Sequence, residues 1–395
     1  MGPLSGLNRE WAIKNPADSY DSTHPHPILL LAVYQLTHTA LGEEAGIAVQ
    51  FRLDGSLFNL RRLQANSKTT ITRILELQYA DDCAIVAHDH QAMQRALDTF
   101  HLVYSSLGLK VNTKKTEIMA QLITPPLEPL YFHINQEPIK IVEQFTYLGS
   151  ILSTSASIDS EIQSRINHAS AAFGRLRTRV FCNNNLKTST KAAVYHAICI
   201  SILLYGAESW TPYRRHIKLL ESFHMRCLKR ILGITWKDKV THSVILHRTQ
   251  STTIESILTK QHLRWLGHTI RMPESRLPRQ LLYGQLAEGT RSAGGQRKRF
   301  KDHSKALLKK CNIQPASLER LADDRPTWRR TCNSGVAHVE QALATRREEK
   351  RILRHQRESG FPPPAVQHPC HLCDKICGSR IGLHSHLRWH QRRLR

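Results

Sequence analysis

The feature that most constrains this chain is a four-residue corner, Tyr79-Ala80-Asp81-Asp82. It lies between the apolar, β-prone runs Leu75-Glu76-Leu77-Gln78 and Cys83-Ala84-Ile85-Val86-Ala87. The flanks read as two short strands and the corner as their turn, because Asp tolerates turn dihedrals and can bond back to the backbone. Two adjacent ionised carboxylates repel each other, so a hairpin tip that carries both points to divalent metal. Mg²⁺ held by carboxylates can activate an attacking hydroxyl and stabilise a leaving phosphate oxygen. The simpler reading is an ordinary solvated Asp-Asp turn; the apolar flanks and the pattern downstream outweigh it.

Charge narrows the partner. Lys and Arg number 56 against 32 Asp and Glu, a formal net charge of +24, and an excess of that size points to a polyanion, nucleic acid ahead of membrane. The apolar run 28–33 follows two prolines and is far short of the ~20 residues a membrane span needs. Residues 1–20 lack the basic-then-apolar order of a signal peptide. The nine cysteines are scattered except for Cys370, Cys373 and Cys377, as expected of reduced thiols in a nuclear or cytoplasmic protein that is not secreted.

Along the chain, residues 1–35 are weakly patterned and read as an irregular leader. Residues 47–53 alternate like a strand and end at the turn pair Asp54-Gly55. After the hairpin, Asp89 can cap a helix whose apolar face is Met93, Leu97, Phe100, Tyr104 and Leu107, stopped by Gly108. Short strands are predicted at 109–112, 116–119, 131–134 and 139–142. Lys114 and Lys115 lie between the first two, as a solvated basic turn or as a phosphate contact. Phe145-Thr146-Tyr147-Leu148-Gly149-Ser150 closes this unit. From residue 157 the pattern turns helical, with Ile158, Ile162, Ile166, Ala169, Phe173, Leu176 and Val180 in one stripe. Further helices are predicted at 190–205 and 214–232, and then from a capping box at Thr252-x-x-Glu255. His224 and His262 fall within these helices as packing or surface residues. Segment 284–301 reads as flexible and basic, with Arg297, Lys298 and Arg299 suited to phosphate. Residues 336–358 read as a charged, solvated helix, and Phe361-Pro362-Pro363-Pro364 as a stiff linker.

A second chemical site closes the chain. Cys370-x-x-Cys373, twelve residues, then His386-x-x-x-His390 is the Cys₂His₂ zinc spacing: two thiolates on a tight turn and two imidazoles on successive helical turns can complete a tetrahedron. Cys377 stands where such fingers place an aromatic residue, either as a small buried thiol or as a competing ligand. The positions that would face bases are Ser379, Gly382 and Ser385, and none offers a bidentate fork to a base edge. Arg380, Arg388, Arg392 and Arg393 can reach phosphates instead. Backbone or single-strand attachment therefore fits better than sequence-specific reading.

Three stretches carry a resemblance: Leu77-Gln78-Tyr79-Ala80-Asp81-Asp82, the later Gly108-Leu109-Lys110-Val111-Asn112-Thr113-Lys114-Lys115-Thr116-Glu117, and Phe145-Thr146-Tyr147-Leu148-Gly149. Together they resemble the reverse transcriptases of non-LTR retrotransposons. Leu204-Tyr205-Gly206-Ala207-Glu208-Ser209-Trp210, Arg264-Trp265-Leu266-Gly267-His268, Gly294-Gly295-Gln296 and the terminal finger resemble the region that follows the polymerase in such elements. The resemblance implies that Asp81 and Asp82 are metal-binding palm carboxylates. It also implies that Lys115 lies near the incoming nucleotide and that Phe145, Tyr147, Leu148 and Gly149 belong to a primer-grip turn. One departure stands out. In that family a further catalytic Asp lies on an earlier strand, followed by a template-holding segment, and neither is recognisable upstream of Tyr79. Asp18 and Asp21 lie in the leader, and Asp54 in a turn.

The expected fold is thus α+β. A partial palm (36–152) follows the leader, then a helical thumb-like region (153–275), a basic, partly helical stretch (276–360) and a small ββα zinc finger (366–395). The expected function is that of a truncated retrotransposon reverse-transcriptase fragment that binds nucleic acid, RNA or DNA, and Zn²⁺, with Mg²⁺ vestigial and little polymerase activity. The alternatives are an RNA-directed DNA polymerase completed by missing upstream sequence and a host-adopted zinc-finger binding protein.

Overall fold

The computed structural model describes residues 11–18, 27–42, 45–65, 67–80, 82–121, 129–288, 298–359, 368–373 and 375–393. Helix and sheet are mixed, as an α+β chain requires. The chain packs as two compact units, Met1–Glu340 and Gln341–Arg395. The expected boundaries at 152/153 and 275/276 fall inside the first. Among the described residues no helix is long and apolar enough to cross a membrane.

The leader is where structure and sequence reading part first. It holds a strand, β1 (Trp11–Asp18), and most of a helix, α1 (Pro27–Leu41), rather than irregular chain. Pro27 opens α1 at a position where a missing N–H is harmless. Nothing in Trp11-Ala12-Ile13-Lys14-Asn15-Pro16 alternates clearly. The strand exists because it is paired on both sides, an influence that local pattern does not record.

Next come β2 (Ile47–Phe51), β3 (Thr70–Ile74), β4 (Glu76–Tyr79) and β5 (Asp82–Ala87). Helix α2 (His90–Ser106) is capped as expected, Asp89 accepting from the Ala92 N–H at 2.8 Å. Beyond it lie β6 (Lys110–Val111), β7 (Glu117–Ala120), β8 (His133–Ile134), β9 (Glu137–Pro138), β10 (Lys140–Ile141), β11 (Gln144–Tyr147) and β12 (Ser150–Ser153). The main sheet runs β10-β7-β1-β5-β4, with β6 added to the end of β1. All its pairs are antiparallel except β10 with β7. Side chains alternate faces along β5: Cys83, Ile85 and Ala87 join α2 and Val33 in one core, while Ala84 packs with Met119, Phe145 and Tyr147 in another. The β11–β12 hairpin thus covers the sheet face opposite α2.

A separate three-stranded sheet, β13-β2-β3, uses β13 (Gly284–Leu286). The start of the segment expected to be flexible is therefore a strand, held by pairing to β2. Gly46 lets β2 approach its neighbour, since a Cβ there would sit 2.3 Å from the Ile74 carbonyl oxygen.

The helical region begins with α3 (Asp159–Leu176). It continues through α4 (Thr188–Val194), a π-helical stretch Tyr195–Ile200 and α5 (Ser201–Leu203). Then come α6 (Arg214–Ile231), α7 (His242–Arg248), α8 (Ile254–Ile270) and α9 (Leu277–Tyr283). Every member of the predicted stripe from Ile158 to Val180 lies in or against this region's core. The cap of α8 is Thr253, accepting from the Ser256 N–H, not Thr252. Glu255 is drawn instead into ion pairs with Arg214 at 2.6 Å and Lys310 at 3.1 Å. His224 and His262 are buried packing residues, bonded to Tyr195 Oη and Ser304 Oγ. Helices α10 (Phe300–Lys310), α11 (Leu318–Asp323) and α12 (Arg325–Ser359) follow. The charged helix starts earlier than predicted because Trp328 and Cys332 are buried. In the second unit β14 (His368–Pro369), β15 (Ile376–Cys377) and α13 (Arg380–Arg393) form a small ββα fold.

Candidate functional site

The β4–β5 hairpin forms as the sequence requires. Tyr79 pairs with Asp82, and Ala80 takes the positive φ of +53° that the tight turn demands. Tyr79 is exposed and Asp82 half-buried at the first position of β5. Asp81 lies outside the described residues. Beside Asp82, in register on the adjacent central strand, is Pro16, and β1 then runs on through Ala17 to Asp18, which pairs with Lys110 of β6. The backbone position next to Asp82 therefore carries no carboxylate. Among the described residues no group of three metal-binding side chains gathers at this hairpin.

Lys114 and Lys115 are exposed on the turn after β6. The Lys115 N–H closes that turn on Asn112 at 3.2 Å. Because β6 and β7 pair with successive parts of β1, this turn comes to the same end of the sheet as Asp82.

Sequence reasoning did not identify the group beneath the hairpin. Glu76 is buried, and loss of hydration pushes its carboxyl up to about 7, against hydrogen bonds from Cys83 and Gln78 that favour the anion. Burial likewise raises the Cys83 thiol. His38 Nε2 lies 3.9 Å from Glu76 Oε1, and among the described residues neither atom has a hydrogen-bond partner. The available signal was a lone Glu between the apolar residues Ile74, Leu75 and Leu77.

The β11–β12 hairpin turns on Leu148 and Gly149, at φ +48° and +78°, the geometry of a two-residue turn matched to strand twist. Phe145 and Tyr147 are buried, and the Tyr147 hydroxyl donates to the Leu77 carbonyl at 2.7 Å. These two rings build the hairpin onto the sheet and Leu148 is half-buried against the same core, so only Gly149 of the four expected primer-contact residues is exposed. Arg165 donates to the Gly149 carbonyl and Tyr205 Oη to the Leu148 carbonyl at 3.1 Å. Arg165 is itself fixed by Glu161 at 2.7 Å and lies 4.6 Å above the Tyr205 ring. Glu161 accepts from the Ile151 N–H at 2.7 Å. The signal for this brace was the spacing Glu161-x-x-x-Arg165 on the apolar stripe of α3.

The basic segment is less available than its composition implies. Lys298 turns inward, donating to the Pro212 carbonyl at 2.9 Å, and burial lowers its ammonium pKa. It is half-buried, with one of its three donors engaged. Lys301, held by the Gly284 carbonyl at 2.7 Å, is brought down to about 8 by burial. Arg299 is exposed, and Arg297 lies outside the described residues.

In the second unit the four predicted ligands converge. Donor atoms of Cys370, Cys373, His386 and His390 all lie within 4.8 Å of one another. Cys373 Sγ is 3.1 Å from His386 Nε2 and 3.3 Å from His390 Nε2, and the two Nε2 atoms are 3.1 Å apart. Bond lengths of about 2.0–2.3 Å to a central ion put the edges of a tetrahedron near 3.3–3.8 Å, so the donors lie close to the spacing that holds a metal. The Leu372 N–H points at Cys370 Sγ at 3.4 Å, which suits a thiolate. Cys377 is buried and falls outside the donor group, as a small core thiol. Arg380 and Arg388 are exposed on α13.

The first unit thus carries an Asp-bearing hairpin at one end of its main sheet and a second hairpin packed across one face of that sheet. Residues 51–152 match the sequence model of the reverse transcriptase family, RNA-dependent DNA polymerases. A putative uncharacterized transposon-derived protein of Caenorhabditis elegans is 24% identical over 280 residues, which cover 66% of this chain and 98% of that relative. Together these similarities support a retrotransposon reverse transcriptase. The family match begins at Phe51 and so takes in the β4–β5 and β11–β12 hairpins but not β1.

Proposed function

We propose that this chain is a reverse-transcriptase product of the non-LTR retrotransposon type. It binds nucleic acid, RNA or DNA, through charge, and zinc through its finger, and does not by itself extend primers efficiently. Support for the ancestry comes from the family match across both hairpins and from the transposon-derived relative. The observation that carries the reading of its activity is the strand beside Asp82, where Pro16 occupies the register position. In two-metal phosphoryl transfer, carboxylates must clamp both ions so that attacking and leaving oxygens are held in line. With no carboxylate at the register position beside Asp82, the clamp is incomplete and Mg²⁺ is bound weakly. Mixed thiolate and imidazole donors at tetrahedral spacing favour Zn²⁺ over hard cations, and a nuclear or cytoplasmic setting suits reduced thiols.

The test is primer extension on RNA and DNA templates with Mg²⁺ or Mn²⁺. Background-level extension is expected. Robust synthesis abolished by Asp82→Ala would overturn the reading. Nucleic-acid binding is expected to survive Asp82→Ala and to weaken steeply with salt while varying little with base sequence.

A further inference from the structure

Helix α13 turns one side to the metal donors and another to solvent. Arg380, Ile381, His384, Ser385, Arg388 and Trp389 are all exposed, and their spacing places them on one stripe. Arg380, His384 and Arg388 form one row; Ile381, Ser385 and Trp389 form the next. Two members are unlike a solvated helix surface: Ile381 is 84% exposed and Trp389 47%. The indole is nevertheless held. It stacks on the His386 ring, centroids 5.8 Å apart and planes within 13°, and meets the His390 ring edge-on at 5.1 Å. Both imidazoles belong to the metal donor set, so closing the metal site also fixes the indole while nearly half of it stays open.

The stripe has little with which to read base edges. Ser379 Oγ is engaged in accepting the Gly382 N–H at 3.1 Å, and Gly382 and Ser385 supply no fork. It offers instead a pre-positioned aromatic face beside a row of cations. A ring can stack on any base, and a guanidinium next to it can meet the phosphate. The exposed guanidiniums of Arg380 and Arg388 supply the complementary charge on the same helix. We propose that this stripe binds single-stranded nucleic acid, with a base stacked on Trp389, phosphates on Arg380 and Arg388, and Ile381 against a neighbouring base or sugar. Eight residues of helix separate Ile381 from Trp389, about 12 Å, so the two side chains reach different nucleotides of one strand. In a duplex the base faces are already covered by stacking, so Trp389 has nothing to receive there.

This proposal rests on the nucleic-acid-binding reading above, and the experiment separates the two. Zinc-loaded full chain is titrated against labelled single strands, the matching duplex, and an abasic strand that keeps its phosphates but lacks bases, with binding followed by anisotropy. Trp389→Ala is expected to weaken single-strand binding on the order of tenfold, with Trp389→Phe restoring most of it. Abasic and duplex binding should be unchanged, as should the salt slope. Should Trp389→Ala lose metal, Trp389→Leu against Trp389→Phe makes the same comparison with apolar bulk retained. Unaltered single-strand affinity in the ring-free variant overturns the proposal, and so does an equal loss on the abasic strand. Absence of binding to every nucleic acid overturns it together with the reading beneath it.

Discussion

The hydroxyl of Tyr147 donates to the carbonyl of Leu77 across 2.7 Å, joining residues 70 positions apart. The bond fastens the β11–β12 hairpin to the strand that leads into Tyr79 and the Asp82 corner. Burial also pushes the phenol up to about 12, so it stays protonated and able to donate through the physiological range. Tyr147→Phe keeps the packing and removes only the donor. It is expected to destabilise the first unit by about 1 kcal/mol, read as a lower denaturant midpoint at unchanged slope; no change in midpoint would contradict a contribution from the bond.

Arg165 and Glu161 are both nearly inaccessible and 2.7 Å apart. Breaking such a pair leaves a charge buried alone, at about 3–5 kcal/mol. Arg165→Met should therefore lower stability more than the double variant Arg165→Met, Glu161→Leu does. If the single variant proves harmless, the pair is not the brace described for the Leu148-Gly149 turn.

Glu76 gives stability a pH dependence of definite sign. Its carboxyl is raised from 4.5 to about 7 in the folded chain, so its contribution is complete below about 4.5 and is lost as pH rises through 7. At most the loss is roughly 3.5 kcal/mol, from about 1.4 kcal/mol per pKa unit. Glu76→Gln should flatten the thermal-stability profile between pH 5 and pH 8, and it should be more stable than the parent at pH 8. A profile of the same slope in both proteins would exclude Glu76 as its source.

Gly267 lies under the Trp328 indole, whose Nε1 donates to the Leu263 carbonyl at 2.9 Å. A Cβ at 267 would fall 2.0 Å from that nitrogen, so Gly267→Ala must displace the ring. The expected loss is about 1–3 kcal/mol, with partial recovery when the facing residue is reduced by Trp328→Phe. Urea melts of the two variants decide the matter.

Metal removal is the check on the second unit. Purified protein is expected to contain one zinc per chain, and Cys373→Ser to contain little. A chelator should abolish the ordered signals of α13 while leaving the first unit's unfolding transition in place. Zinc content unchanged by Cys373→Ser would show that the four donors are not its ligands.

Several elements were legible because their cause is local. The β4–β5 turn, the Asp89 cap and the Gly108 stop follow from dihedral preference and hydrogen bonding within a few residues. The α3 stripe follows from periodicity, and the Cys₂His₂ group from spacing alone. Thr253, which also donates to Glu340, caps α8 in place of Thr252, and Glu255 pairs with residues on two other helices; no local pattern contains either contact.

By itself the sequence determined the Tyr79–Asp82 hairpin, the helical stripes and the four convergent donors, since each depends on neighbours in the chain. Tertiary structure alone decided that β1 completes the sheet and sets Pro16 beside Asp82. It also turned Lys298 inward, sealed Glu76 beneath the hairpin, and left Ile381 and Trp389 open on α13. Strand pairing and burial join residues far apart in the chain, and those long-range contacts are what a reading of local preference cannot supply.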